Sequence, residues 1–422
     1  MKKSNIDLSE IPFDWEVIPC GYFFKEKSIK NNIGEINLSV YRDYGVIPKD
    51  SRSDNHNRVS EDISNYKLVE KGDFVLNKMK CWMGSLGVSN HRGIVSPSYT
   101  VLEPKKEIYN QYFHYLLRSE EYRQIYESLS YGVRVNQWEL RFHDFKMIPA
   151  LYPKIQEQKL ISQYLDKKTS QIDSLIEKIE KKIELLKEQK TALINQYVTK
   201  GLDPNIEMKY SGVDWIGDIP KNWKTAKLGY FSEIYRGSGY QFLIPMEDKF
   251  NSDGERVIRI SDFNNFSPQR YQYNKIFENY RIKEGDILVG GTGHYFGKSI
   301  LAKSEWVGFI HSYNVIRIQL KNHIPGYIQL YLSSQLIRDK LNLSVLGSGQ
   351  PFVDIEGLRS LQILLPPEDE QREIFEYLNK KSILLLNLID TNLSKINLLN
   401  EYRQSLISSV VTGKIRVTED ML

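Results

Sequence analysis

The sequence predicts an α+β protein. It has two mixed α/β domains in a duplicated, pseudo-two-fold chain, separated by two long helices that pair as an antiparallel coiled coil. Three observations predict this. Pro153-Lys154-Ile155-Gln156-Glu157-Gln158 opens a long charged helical stretch to about Gly201, and Pro366-Pro367-Glu368-Asp369-Glu370-Gln371 opens a second one 213 positions later. At that offset Tyr164-Leu165 falls on Tyr377-Leu378, Lys167-Lys168 on Lys380-Lys381, and Val198-Thr199 on Val411-Thr412. Upstream, Ile11-Pro12-Phe13-Asp14-Trp15 recurs as Ile219-Pro220-Lys221-Asn222-Trp223, and Gly21-Tyr22-Phe23 as Gly229-Tyr230-Phe231, both at an offset of 208. A repeat this long is a domain duplication, too long for a solenoid period.

The elements follow in order. Residues 1–150 form the first domain. Lys71-Gly72-Asp73 is a turn entering a strand at Phe74-Val75-Leu76, and Ser98-Tyr99-Thr100-Val101-Leu102 alternates as a strand. From Tyr109 to about Leu129 the apolar spacing turns helical, and Leu140, Phe142, Phe145 and Ile148 lead back to Pro149. Residues 151–205 form the first long helix. Residues 206–363 repeat the domain: Glu284-Gly285-Asp286 answers Lys71-Gly72-Asp73, Ser312-Tyr313-Asn314-Val315 answers Ser98-Tyr99-Thr100-Val101, and Tyr327 to Leu341 is the matching helix. Residues 364–422 hold the second long helix and a tail.

Both helices carry apolar residues at alternating steps of three and four, the spacing of a coiled-coil seam. The first seam runs Leu165, Lys168, Ile172, Ile176, Ile179, Ile183, Leu186, Lys190, Leu193, Tyr197. The second runs Leu378, Lys381, Leu385, Ile389, Asn392, Ile396, Leu399, Arg403, Leu406, Val410. Lys190 and Arg403 interrupt the two seams at the same place, as a register device would. Gly201 and Gly413 sit where helix stops belong. Each stripe needs cover; the other copy is the simplest cover, and the helix's own domain is the alternative.

Composition sets limits. Hydrophobic content of 41% suits globular cores, and a net charge of +4 is too small to name a partner. Cys20 and Cys81 lie outside any metal spacing, so free thiols in a reducing compartment are expected. No signal peptide or membrane-length apolar run is present, which points to the cytoplasm.

Catalytic motifs are missing. Gly290-Gly291-Thr292-Gly293-His294-Tyr295-Phe296-Gly297-Lys298-Ser299 comes near a phosphate-binding G-x-x-x-x-G-K-[ST] loop, but Thr292 stands where its first glycine belongs. A glycine-rich turn between strands is the better reading. The seven histidines make no metal-spaced cluster, and no hydrolase elbow or adenine-methyltransferase tetrapeptide occurs. Binding remains. In the first domain, loop-like stretches carry Arg52, Asn55, Arg58, Lys78, Lys80, Asn90, Arg92, Arg134, Asn136 and Gln137. In the second they carry Arg236, Tyr240, Gln241, Arg259, Gln269, Arg270, His294, Tyr295 and Lys298. Arginine pairs with guanine edges, asparagine and glutamine with adenine edges, and lysine with phosphate, so these are the candidate DNA-binding residues.

With its two Pro-x-x-x-Glu-Gln openings, its repeated Gly72-Asp73 and Gly285-Asp286 strand entries and its Ile-Pro-x-x-Trp starts, the chain resembles, from end to end, the DNA-specificity subunit of type I restriction–modification enzymes. The resemblance implies a non-catalytic subunit that recognises a bipartite double-stranded DNA target, one half-site per recognition domain. It implies docking to methyltransferase (modification) subunits, two copies of them, and to restriction/translocase subunits. S-adenosylmethionine, ATP and Mg2+ would then belong to those partners, with no cofactor or metal in this chain. The alternative is a coiled-coil scaffold joining two protein-binding domains.

Overall fold

The computed structural model describes residues 11–42, 44–51, 60, 62–132, 138–237, 243–245, 255–264, 269–273, 278–343 and 352–422. The chain divides into two compact units, Met1–Glu180 with Leu393–Leu422, and Lys181–Asn392.

In the first unit, β1 (Glu16–Pro19) leads through the short α1 (Cys20–Phe23) to β2 (Phe24–Lys27), β3 (Leu38–Tyr41), β4 (Gly45–Pro48), β5 (Lys67–Val69), β6 (Phe74–Asn77), β7 (Leu86–Val88), β8 (Gly93–Val95) and β9 (Tyr99–Pro104). Four of these make an antiparallel sheet in the order β2-β9-β6-β7, and β3 pairs with β4 and β5 with β8. Two helices follow, α2 (Asn110–Arg118) and α3 (Glu120–Leu129), then α4 (Phe142–Phe145) and β10 (Pro149–Tyr152), which pairs back onto β1. The single helix expected over Tyr109–Leu129 is broken at Ser119, whose backbone is extended (φ −65°, ψ 160°). The break turns Tyr112, Leu116, Tyr122 and Tyr126 into the same core.

The second unit repeats the plan. It holds β11 (Met208–Tyr210), β12 (Asp218–Pro220), β13 (Lys224–Lys227), β14 (Ser232–Arg236), β15 (Leu243–Pro245), β16 (Glu255–Ile258), β17 (Gln269–Tyr273), β18 (Ile287–Gly290), β19 (Ser299–Leu301), β20 (Ile310–His311) and β21 (Val315–Leu320). Helices α6 (Pro325–Leu332), α7 (Gln335–Leu343) and α8 (Ile355–Ser360) precede β22 (Gln362–Leu365). Its sheet order β14-β21-β18-β19 matches β2-β9-β6-β7, and β13 pairs with β22 as β1 pairs with β10. A second four-stranded sheet, β15-β17-β16-β20, is answered in the first unit by the separate β3–β4 and β5–β8 pairs, linked by a parallel bridge between Asn37 and Ile94.

Strand pairing corrects one sequence equivalence. Asn77 lies opposite Tyr99, and Gly290 opposite Val315. Val315 therefore answers Tyr99 rather than Val101, and Ser312 answers Ser96. The serine–tyrosine likeness was incidental; the partner strand sets the register.

The long helices are α5 (Ile155–Lys200) and α9 (Glu368–Val411). Each contributes to both units. In the first unit Glu157 meets Arg416 at 3.2 Å and Asp173 meets Arg403 at 3.4 Å, so the two segments run antiparallel. In the second unit Tyr197 meets Tyr377 with ring centroids 4.9 Å apart, and Gly201 approaches Glu370, again antiparallel. Ile172, Ile183, Leu186, Leu385, Ile389 and Leu406 are buried, while Ile176, Ile179, Leu193, Ile396 and Leu399 are half-buried. Three acids, Glu368, Asp369 and Glu370, sit in the first turn of α9, where the helix dipole favours negative charge.

The recurrent motifs have local physical reasons. Gln158, fully buried, accepts from the Tyr109 N–H (2.9 Å) at the start of α2 and donates to the Pro153 carbonyl (2.8 Å). Gln371 does the same with Ile324 (3.4 Å) at the start of α6 and with Pro366 (2.9 Å). One amide thus satisfies an N–H at the start of a neighbouring helix and a carbonyl just before its own. Gly201 (φ +74°) and Gly413 (φ +80°) end the long helices in the left-handed region, each against the tryptophan of an Ile-Pro-x-x-Trp motif, Trp223 and Trp15 respectively.

Candidate nucleic-acid interface

The Gly-Asp motifs are structural. Gly72 (φ +96°) and Gly285 (φ +77°) make the turn. The buried Asp73 carboxylate accepts from the Glu70 N–H (2.7 Å) and Lys27 Nζ (2.8 Å). Asp286 accepts from the Lys283 N–H (2.6 Å) and Arg317 Nη1 (3.0 Å). Burial raises the Asp286 pKa above the ordinary carboxylate value, against those donors. Each turn fixes the entry of the central strand, β6 or β18, and so the position of the turn at that strand's far end.

That far turn gathers exposed and half-buried cations and rings. In the first unit, β6 runs into Lys78, Met79 and Lys80, then a 3-10 turn at Cys81–Met83. The Leu140 N–H donates to the Lys78 carbonyl (3.1 Å), which brings in a remote segment. Trp82 packs on Trp138 at 5.0 Å between ring centroids, and the Arg141 guanidinium lies 4.7 Å from the centre of the exposed Tyr131 ring. An arginine laid on a ring keeps its in-plane N–H donors for an outside acceptor.

The second unit builds the corresponding turn from Gly291 to Lys298. It is a strand–turn–strand, with a 3-10 turn at Gly293–Tyr295 and Ser299 opening β19, so no helix start is available to cradle a phosphate as in a P-loop. Lys298 Nζ donates to Asn264 Oδ1 (2.6 Å), Asn264 Nδ2 donates to the Tyr295 hydroxyl (3.1 Å), and Lys298 lies 5.2 Å from the centre of the Tyr295 ring. Beside it, Arg236 lies over the half-exposed Tyr313 ring (5.1 Å) and donates to the Val353 carbonyl (2.6 Å). Thr292 bridges to Phe352, also exposed.

The candidate residues therefore separate. Lys78 and Lys80 stand together in the first unit; Arg236, His294, Tyr295 and Lys298 stand together in the second. Asn90 is exposed near the β7–β8 turn. Arg92 is held by Glu35 (2.7 Å) and by Glu70, which together raise its pKa. Arg259 pairs with Asp262 at 3.5 Å, closing a helix cap. Gln269 and Arg270 lie on β17. Arg52, Asn55, Arg58, Arg134, Asn136, Gln137, Tyr240 and Gln241 lie outside the described residues. Sequence reasoning passed over Trp82, Tyr131, Trp138, Arg141, Asn264, Tyr313 and Phe352. The pairing of aromatic with basic residues was the available signal, but most of these join the turn from distant segments.

Two histidines with little or no solvent exposure, His114 and His311, are not part of either turn. His114 accepts from the Val88 N–H (3.3 Å), and burial, with Arg118 nearby, pushes its pKa down to about 3. His311 is bonded through Nδ1 to the Val315 carbonyl (2.9 Å) and burial lowers it to about 4. Among the described residues no group of three or more His, Cys, Asp or Glu could hold a metal, and no helix is long and apolar enough to cross a membrane.

Comparison with known proteins agrees with this architecture. The model of the type I restriction modification DNA specificity domain matches twice, over residues 12–185 and 220–398. The MjaVIII specificity subunit of Methanocaldococcus jannaschii is 26% identical over 426 residues, covering 96% of this chain and 94% of the relative. The EcoKI specificity subunit of Escherichia coli is 25% identical over 335 residues, 75% of this chain and 68% of the relative. The crystal structure of the HsdS subunit from Thermoanaerobacter tengcongensis shares the fold at a TM-score of 0.55 and 14% identity, over 96% of this chain and 98% of that one. A structure from a study of complex assembly in the type I R-M system reaches 0.66 at 14% identity, over 96% and 99%. With two copies of its domain spanning most of the sequence, the chain belongs to the type I restriction–modification DNA-specificity family.

Proposed function

We propose that this chain is the non-catalytic DNA-reading subunit of a type I restriction–modification enzyme, with a bipartite duplex target and one half-site for each unit. One observation carries the reading. The same turn, at the end of the same central strand, is built in both units from exposed and half-buried cations and rings, yet from different residues: Lys78, Lys80, Trp82 and Arg141 in one, Arg236, Tyr295, Tyr313 and Lys298 in the other. A common frame with different contents suits two half-sites of different sequence. Lysines there would meet phosphate, and arginines and amides would meet base edges.

Two modification subunits would dock on this chain and carry S-adenosylmethionine. Restriction/translocase subunits would supply ATP- and Mg2+-dependent cleavage, all within the cytoplasm. Methylome sequencing of cells carrying the complete system tests the reading. Methylation at one split motif is the expected result, and methylation without sequence preference would sink it. Helix length would set the spacing between half-sites. Adding one heptad to both α5 and α9 should then change the preferred spacer, whereas adding it to one should disrupt recognition.

A further inference from the structure

The second unit contains an open cavity of about 830 Å³ between α5, α9, α6 and the Gly291–Lys298 turn. Four cations line it, Lys187, Lys190, Lys298 and Arg338, and no carboxylate does. Lys187 is engaged by Glu184 (2.8 Å) on its own helix. Lys190 is half-buried, a seam position of the helix pair. Among the described residues no acid lies within ion-pair distance of Lys190 or Lys298.

The first unit shows what is missing. Arg403 is the counterpart of Lys190, and it pairs with Asp173 at 3.4 Å. The counterpart of Asp173, at the same offset of 213, is Leu386, which lines the cavity. One copy of the helix pair balances its seam cation internally; the other places an apolar residue there and leaves the ammonium facing open space. Burial lowers the pKa of Lys190, and both burial and the Lys190 charge lower that of Lys298. Two ammonium groups that repel each other in a partly desolvated site lose stability unless an anion joins them. The Ser382 hydroxyl adds a donor suited to a tetrahedral oxyanion, while those of Thr191 and Ser333 are given to the Lys187 (3.1 Å) and Leu330 (2.7 Å) carbonyls, and Phe296 and Phe375 add an apolar wall that a planar base could cover.

We propose that this cavity is a phosphate-binding site, with Lys190 and Lys298 as its central cations and Arg338 at its rim, for a phosphate that carries a nucleoside. The phosphate is either that of a free nucleotide or one in a DNA strand lying over the turn. Only the second source rests on the DNA-reading function.

Two variants test the site in the full chain. Leu386→Asp supplies the carboxylate that the first unit already has, and Lys190→Gln removes the seam charge. Circular dichroism shows which variants fold, and either one that folds suffices. In the first arm, inorganic phosphate and AMP are titrated against thermal unfolding. A dose-dependent rise in Tm for wild type that disappears in the variants establishes the free-nucleotide source. In the second arm, target DNA binding by the complex with modification subunits is followed against salt. A log–log slope shallower by about 0.9 in the variants establishes one strand phosphate in the cavity. No Tm response to phosphate or AMP in wild type, together with unchanged salt slopes in the variants, overturns the proposal. A sequence preference that survives in that case leaves the DNA-reading function standing.

Discussion

Trp223 donates its indole N–H to Glu370 at 3.0 Å, locking the start of the second repeat onto the first turn of α9. Its counterpart Trp15 is as deeply placed, but its indole nitrogen has no partner among the described residues. Equal mutations should therefore cost unequal amounts. Trp223→Phe loses a hydrogen bond to a charged group, about 1.5–3 kcal/mol, beyond the packing change that Trp15→Phe shares. Urea denaturation of the two variants measures the difference, and equal losses would contradict the assignment.

The buried glutamines give a second comparison. Gln158→Met keeps volume but leaves the Tyr109 N–H and the Pro153 carbonyl unpaired. A loss of about 1–3 kcal/mol per orphaned group is expected. Gln371→Met should cost less, because its bond to Ile324 is long at 3.4 Å. Hydrogen exchange at the starts of α2 and α6 reports the local effect.

Lys80 and Arg92 should part company in DNA binding. Lys80 is exposed on the turn, whereas Arg92 is committed to Glu35 and Glu70. Lys80→Ala should reduce affinity for specific and non-specific DNA alike and make the log–log salt slope shallower by about 0.9. Arg92→Ala should leave that slope unchanged. The reverse pattern would move the DNA face off the turn.

Acid should weaken both units through one buried imidazole in each. His114 and His311 are held neutral, with pKa values of about 3 and about 4 against an ordinary 6.5. The unfolded chain therefore takes up protons below pH 6.5 that the folded chain refuses. Their contribution is complete above pH 6.5 and is lost as the pH falls toward the folded values, about 1.4 kcal/mol per pH unit for each histidine. Urea midpoints between pH 7 and 5 should fall accordingly. His114→Gln, whose side-chain carbonyl can still accept from Val88, should remove one histidine's share of the slope.

Much of this was legible in the sequence because it recurs. The proline–glutamine openings, the helix stops at Gly201 and Gly413 and the paired Gly-Asp turns stood out by offset alone. Residues that act through distant neighbours did not. Trp138 reaches its turn through the Leu140–Lys78 hydrogen bond and its packing on Trp82, Phe352 through a backbone bridge to Thr292, and Tyr313 through a strand register that similar residues had disguised by two positions. The break at Ser119 was hidden because apolar spacing continues across it. Lys190 and Arg403 looked like one device used twice, and only their partners, Leu386 and Asp173, show that the two copies differ.

The route of the chain also bears on the order of its synthesis. The second unit is one continuous run, Lys181–Asn392, while the first needs Leu393–Leu422 to complete its core with Leu406, Val410, Val411 and Val417. The ribosome therefore delivers everything the second unit needs while the first still lacks a wall. The half made first is finished last, and until then it presents Tyr112, Leu151 and Leu165 to chaperones or to a stray copy of the closing helix.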